Sequence, residues 1–395
     1  MTYRIVFVHS FYRSGSPSGE NRAAMAQMEA LRSAGHEIHL VAAHTDDLSS
    51  APLYPLRTAV TVATGHGRSP LAALRQLRPD VVHVHNLFPN FGRSWLRQWE
   101  GAVVGTLHNF RSLCAAATLY RQGATCTRCV DGDRWAALRY GCYRGSRAAT
   151  APLAWAGRKK VSTDPLLSRA DKLVVLSDLS REMYRRAGIP EQRLALVPNF
   201  VSELPPPAGT HRSAPEQPEE IDSRWVYVGR ISEEKGLLEL LRRWPAEDPL
   251  DVFGDGPLLQ TCRRIAPPAV RFLGSLPHDE LRRRLPSYRG LIFPSRCLEG
   301  AEPLVYLEAL AAELAVLAFT TSTVGQLVRE QGTGMTIGWD EPLQGALAQA
   351  SRCFPRMRAR CRTVFKERYT QRAWTARMET VYSDALAHRQ SGGLA

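Results

Sequence analysis

The sequence predicts an α/β protein made of two successive units of similar size with a cleft between them. Three observations carry that expectation. Short apolar runs recur along both halves, each followed by a helical pattern, which is the signature of strand-helix alternation. Between the halves, Glu203 to Ser223 is rich in Pro, Glu, Ser and Gly and poor in apolar residues, as a linker is. Leu291 to Leu310, LIFPSRCLEGAEPLVYLEAL, joins a buried strand to a helix through a loop carrying Glu299, Gly300 and Glu302.

Composition agrees with two ordinary globular domains: 395 residues, 44% hydrophobic and 23% charged. No apolar run reaches the ~20 residues that cross a bilayer, and Met1-Thr-Tyr-Arg leads directly into Ile5-Val-Phe-Val, so a cytoplasmic protein is expected. The net charge of +13 is uneven. Residues 1–200 hold 26 Lys and Arg against 14 Asp and Glu, leaving the second half near neutral. A basic half suits an anionic small molecule, an anionic membrane or nucleic acid. No nucleic-acid module with interleaved aromatics is present, so nucleic acid is not expected as a partner.

In the first half, the strand at residues 5–8 runs into a Gly/Ser loop ending at Gly19, ahead of a helix with Ala24, Met25, Met28 and Leu31 on one face. Such a loop at a helix N-terminus favours an anion or polar ligand. Two later strands, Asp80-Val-Val-His-Val-His-Asn and Ala102-Val-Val-Gly-Thr-Leu-His-Asn, end in His-Asn and place His85 and His108 at their tips. Strand ends are where doubly wound sheets keep their chemistry. Cys114, Cys126, Cys129 and Cys142 follow as C-x11-C-x2-C-x12-C. Four thiolates make a closed structural zinc site, though these flanking spacings are not those of a standard ribbon; the other reading is free thiols. Cys262, Cys297, Cys353 and Cys361 show no such spacing.

The second half opens with the strand Trp225-Val-Tyr-Val and then Gly229-Arg-Ile-Ser-Glu-Glu-Lys-Gly236, which sets Arg230 and Lys235 at a strand-helix junction. Two cations there neutralise a diphosphate, or else begin a solvated charged helix. Further on, Glu308 lies on a helix and a second carboxylate in the loop before it. Such a pair grips a polyhydroxylated ligand, because a carboxylate accepts two hydrogen bonds from paired hydroxyls; the other reading is an amphipathic helix with solvated glutamates.

Over nearly its whole length the chain resembles the family-4 glycosyltransferases of the GT-B fold, which have two Rossmann-like domains. The resemblance rests on the ordered series of the Gly-containing first loop, Thr106-Leu-His-Asn, Val197-Pro-Asn, Gly229-Arg to Lys235-Gly, Gly254-Asp-Gly-Pro, Phe272-Leu-Gly and Leu307-Glu-Ala. The Cys-rich stretch, about 110–147 and ending Cys142-Tyr-Arg-Gly-Ser, is similar to that of a bacterial subgroup. It implies a first domain over 1–202, a linker over 203–223, a second domain over 224–370, and a tail, 371–395, whose helix crosses back to the first.

The resemblance also implies a retaining transfer from a UDP- or GDP-sugar, with no cofactor required for catalysis. Arg230 and Lys235 would hold the diphosphate, Glu308 the ribose hydroxyls, and His108 would face the sugar. Gly19 would lie over the reacting centre, and Gly229, Gly256 and Leu304 would line the nucleotide site. No side chain stands out as a general base; in the family a donor phosphate oxygen is held to take the acceptor proton. The chain departs from the family spacing before Glu308, where eight residues back is Gly300. A one-residue insertion gives Glu299 the sugar-binding role, with Glu302 as rival. Glu313-Leu-Ala and Ser322-Thr-Val-Gly-Gln also replace the family's usual residues, which bears on donor identity.

The basic first domain favours an anionic acceptor glycan or lipid-linked sugar in cell-surface polysaccharide or glycolipid assembly, with peripheral contact to an anionic membrane through Arg144 to Lys160 and Trp155. The alternatives are a small natural product as acceptor, and an inactive nucleotide-sugar binder.

Overall fold

A computed structural model describes residues 2–14, 18–203 and 224–391, so the expected linker beyond Glu203 lies outside the described residues. The chain forms two compact units. The first comprises Met1–Leu119, Cys126–Asn199 and Arg372–Ala395, and the second Tyr120–Thr125 and Phe200–Gln371.

In the first unit six parallel strands form one sheet: β1 (Arg4–Phe11), β2 (Glu37–His44), β3 (Val81–Asn86), β4 (Ala102–Leu107), β5 (Lys172–Val175) and β6 (Leu194–Leu196), in the order β2-β1-β3-β4-β5-β6. Their central residues are β-branched or apolar on consecutive positions because both faces of a parallel sheet are covered. Ile5, Val6, Phe7, Val8, Val82 and Val103 are fully buried. Helix α1 (Gly19–Ser33) begins where Ser18 caps it, its side chain accepting from the Asn21 amide at 3.3 Å. Two more helices of this unit, α2 (Tyr54–Thr64) and α3 (Arg147–Ala156), lie against one another.

The second unit repeats the plan with β7 (Trp225–Val228), β8 (Leu250–Phe253), β9 (Val270–Gly274), β10 (Gly290–Phe293), β11 (Val316–Phe319) and β12 (Gly334–Ile337). All are parallel, in the order β9-β8-β7-β10-β11-β12. Counted within the unit this is 3-2-1-4-5-6, the order of dinucleotide-binding folds, and its reversal point lies between β7 and β10. Helix α4 (Leu304–Ala311) is buried at five consecutive residues, Tyr306 to Leu310, so the amphipathic, solvated reading of this stretch fails: the helix sits inside the unit. The long α5 (Leu343–Arg368) brings Phe354 edge-on to Trp225, ring centroids 5.8 Å apart.

Helix α6 (Gln371–Gln390) belongs to the first unit despite following the second in sequence. It buries Trp374, Met378, Val381, Tyr382 and Ala385, whose recurrence every three or four residues gives one apolar face. Tyr382 shares a 2.8 Å hydrogen bond with His83 Nδ1 of β3, and Glu379 one of 3.1 Å with His36. The Cys-rich stretch is divided. A small hairpin, Tyr120–Thr125, groups with the second unit, where the Tyr120 hydroxyl donates to Glu233 at 3.4 Å and Arg296 donates to the Gly123 carbonyl at 3.1 Å.

Candidate active site

The strand order of the second unit explains its site. Because β7 and β10 are neighbours, the loops leaving their C-terminal ends meet, although they are more than sixty residues apart in sequence. Gly236 makes the meeting possible. It has φ +75°, and a Cβ there would collide with the Pro294 carbonyl. Gly254, of the loop after β8, likewise packs against the Gly229 carbonyl with no room for a side chain, and Gly256 approaches the backbone of Ile231.

Lys235 Nζ donates to Glu299 Oε1 at 2.6 Å, and the same oxygen accepts from Ser295 Oγ at 3.0 Å. The Thr323 hydroxyl, 2.9 Å from the Glu299 amide, fixes the backbone beneath. Burial would lower the pKa of Lys235, but the facing Glu299 carboxylate outweighs it and holds the ammonium firmly protonated. Arg230, by contrast, is exposed and makes no ion pair among the described residues. Glu308 is buried, with Oε1 3.4 Å from His278 Nδ1, and Leu304 is half-buried at the first turn of α4. The two candidate carboxylates separate clearly. Glu299 stands beside Lys235, whereas Glu302 is fully buried and bears electrostatically on Tyr306 and Tyr369 in the interior.

In the first unit the reversal point lies between β1 and β3, and the tips of β1, β3 and β4 bring the two predicted histidines, His85 and His108, together with His9, which the sequence did not single out. His85 Nδ1 and His108 Nε2 share a 2.8 Å hydrogen bond, and His9 bonds Asn21 at 3.0 Å. With His83 they make a cluster that burial keeps neutral: desolvation takes His108 and His83 down to about 3 and His9 to about 4. A neutral imidazole at a strand tip orients a hydroxyl without adding charge.

His85 and His108 line a cavity of about 530 Å³ with Glu20, Asn109, Arg111, Arg93 and residues from the ends of α2 and α3. Its size is that of a small-ligand site. Glu20 was not singled out from the sequence, because a glutamate in the first turn of a helix reads as a partner of the helix dipole. Its carboxylate accepts from Asn109 at 3.1 Å, and burial, opposed by Arg111, pushes its pKa up to about 7. An acidic group so placed changes charge within the working range of an enzyme. If it takes up the proton of an acceptor hydroxyl it must first be ionised, so transfer rises with pH through about 7. A Glu20→Gln variant should lose that inflection; an unchanged pH-rate profile excludes Glu20 from the reaction. Gly19, directly before it, is exposed at the start of α1.

The zinc expectation is not supported. Cys114, Cys126, Cys129 and Cys142 are in no disulfide, and among the described residues no group of three or more His, Cys, Asp or Glu side chains is arranged to hold a metal ion. The thiols do influence one another. Burial, then the neighbouring Cys114, Cys142 and Cys126, push Cys129 up to about 11, so it stands protonated at neutral pH.

Two parallel-sheet α/β units with loops meeting at a reversal point in each fit the GT-B fold, and the sequence matches supply the class of protein. Glycosyltransferase Family 4 matches residues 17–203, and Glycosyl transferases group 1 matches residues 222–352. Together these two glycosyltransferase models cover most of the chain, which is a family-4-like glycosyltransferase. Among solved structures, sucrose-phosphate synthase from Thermosynechococcus elongatus superposes with a TM-score of 0.65 at 18% identity, over 97% of this chain and 99% of that one. A glycosyltransferase from Rickettsia africae gives 0.63 at 13% identity, over 98% and 99%. HepE from Anabaena, solved with UDP and glucose, gives 0.59 at 14% identity, over 96% and 99%. These identities bear on the fold alone. No curated protein matches the chain.

Proposed function

We propose that the protein is a retaining glycosyltransferase that takes a sugar from a UDP- or GDP-sugar held by the second unit and passes it to an acceptor held by the first. The observation that carries this is the Lys235–Glu299 pair at the reversal point of the second unit, with Arg230 five positions earlier in the same loop. Negative charge grows on the nucleoside diphosphate as it leaves, and fixed cations are worth most where charge develops. Lys235 and Arg230 supply them; Glu299 keeps the ammonium charged and aimed, and accepts hydrogen bonds from sugar hydroxyls through its second oxygen. Glu308 binds the ribose, with Gly229, Gly256 and Leu304 around the nucleotide. His108 faces the sugar, and Gly19 covers the reacting centre.

The acceptor enters the 530 Å³ cavity of the first unit, whose wall includes Arg93, Arg97, Arg111 and Arg158. That wall suits an anionic acceptor, such as a glycan or a lipid-linked sugar displayed at an anionic membrane in cell-surface polysaccharide or glycolipid assembly. Incubation with a panel of UDP- and GDP-sugars, following release of nucleoside diphosphate, tests the assignment. One donor should be hydrolysed slowly without acceptor and faster with it. A protein that binds a nucleotide sugar and never releases the diphosphate is a binder, and the proposal fails.

A further inference from the structure

Helix α2 is apolar, yet none of its residues is buried. Leu53, Leu56 and Val60, spaced three and then four apart so that they share one face, are 65%, 59% and 51% exposed. On the adjacent α3, Trp155 is 50% exposed, with the Arg158 guanidinium 4.0 Å over its ring. The C-terminal ends of the same two helices, Thr61–His66 with Leu153 and Trp155–Lys160, line the cavity, so Trp155 belongs to both and the apolar face and the cavity share their walls. Isolated exposed apolar residues are ordinary, but four large ones on two adjoining helices need an occupant.

Charge identifies it. From Leu48 to Pro79 there is no Asp or Glu, only Arg57, Arg68, Arg75 and Arg78; from Arg134 to Thr163 there is again none, against five arginines, Lys159 and Lys160. Of these cations only Arg139 pairs with a carboxylate among the described residues, that of Asp133. An apolar face with Trp among cations in such excess matches a bilayer surface bearing anionic headgroups, where apolar side chains enter the acyl boundary and cations remain at the headgroups. Among the described residues no helix is long and apolar enough to cross a membrane, so the contact is with the surface.

We infer that the α2–α3 face docks on an anionic lipid bilayer and thereby opens the cavity of the first unit toward lipid-borne acceptors. The inference rests on the proposed function and extends the expected contact from Arg144–Lys160 to α2, which the sequence reading did not implicate.

The test is co-sedimentation of the full chain with vesicles of phosphatidylcholine alone or with about 30% phosphatidylglycerol. Binding should be at least about tenfold stronger on the anionic vesicles and should fall as salt rises. A Leu56→Glu, Val60→Glu variant, altering two exposed residues outside the cavity wall, should lose that binding at least tenfold while hydrolysing nucleotide sugar at the wild-type rate. Equal binding to both vesicles, or a double variant that binds like wild type, overturns the proposal. So does a wild-type dimer in gel filtration that the variant abolishes, because a second copy then covers the face. Vesicle binding without any donor hydrolysis leaves the docking face standing and removes the transferase reading.

Discussion

Replacing Lys235 with alanine should lower kcat by about 100-fold or more, the scale of losing one preorganised charge contact in a transition state. The effect belongs in kcat because the ammonium meets little extra charge in the bound donor and much more once the diphosphate begins to leave. A second consequence follows from the geometry. Glu299 would lose its 2.6 Å partner and keep Ser295 as its remaining close donor, leaving a half-buried carboxylate poorly compensated. Lys235→Ala should therefore be less stable than the double variant Lys235→Ala, Glu299→Gln, which removes both charges. Steady-state kinetics with the donor found in the panel provides the readout. A single variant with wild-type kcat removes Lys235 from the diphosphate role.

The second large effect concerns α6. Trp374 is 1% exposed, and Trp374→Ala should cost about 3–5 kcal/mol, the usual penalty for emptying a buried aromatic site. Against the ~5–15 kcal/mol that holds a typical domain together, this is a large fraction. The damage should be local to the first unit. Amides of β1 and β3, which lie in the sheet that α6 helps cover through His36 and His83, should exchange with solvent much faster, and those of β7 and β10 should not. Equal acceleration in both sheets would mean that α6 does not belong to the first unit alone.

Much of this architecture is legible in the chain because parallel strands are covered on both faces. Ile5-Val-Phe-Val, Leu173-Val-Val and Val316-Leu-Ala-Phe stand out as apolar runs for that reason, and the period of Trp374, Met378 and Tyr382 marks the last helix. What the sequence leaves open is adjacency. Nothing local to Gly229-Arg or to Cys297-Leu-Glu says that β7 lies next to β10, and only strand order decides that Glu299 rather than Glu302 meets Lys235. The hairpin at Tyr120–Thr125 is hidden for a similar reason, since its partners Glu233 and Arg296 lie over a hundred residues away. Glu20 and the open face of α2 escape notice because the environment of a side chain, not its type, gives them meaning. An apolar helix reads as core until its neighbours are seen.

The chain order of the first unit also shapes its synthesis. Its sheet is complete at Asn199, but the helix that covers His36 and His83 is encoded about 170 residues later, after the whole second unit. At ~5–20 residues per second, a ribosome needs roughly 10–35 s to close that gap. Throughout this interval the seat of Trp374, Met378 and Tyr382 is bare apolar surface on a nascent chain whose second unit is still being assembled. The first unit thus begins folding earliest and finishes last, and any message or protease that removes residues 371–395 leaves it permanently unfinished.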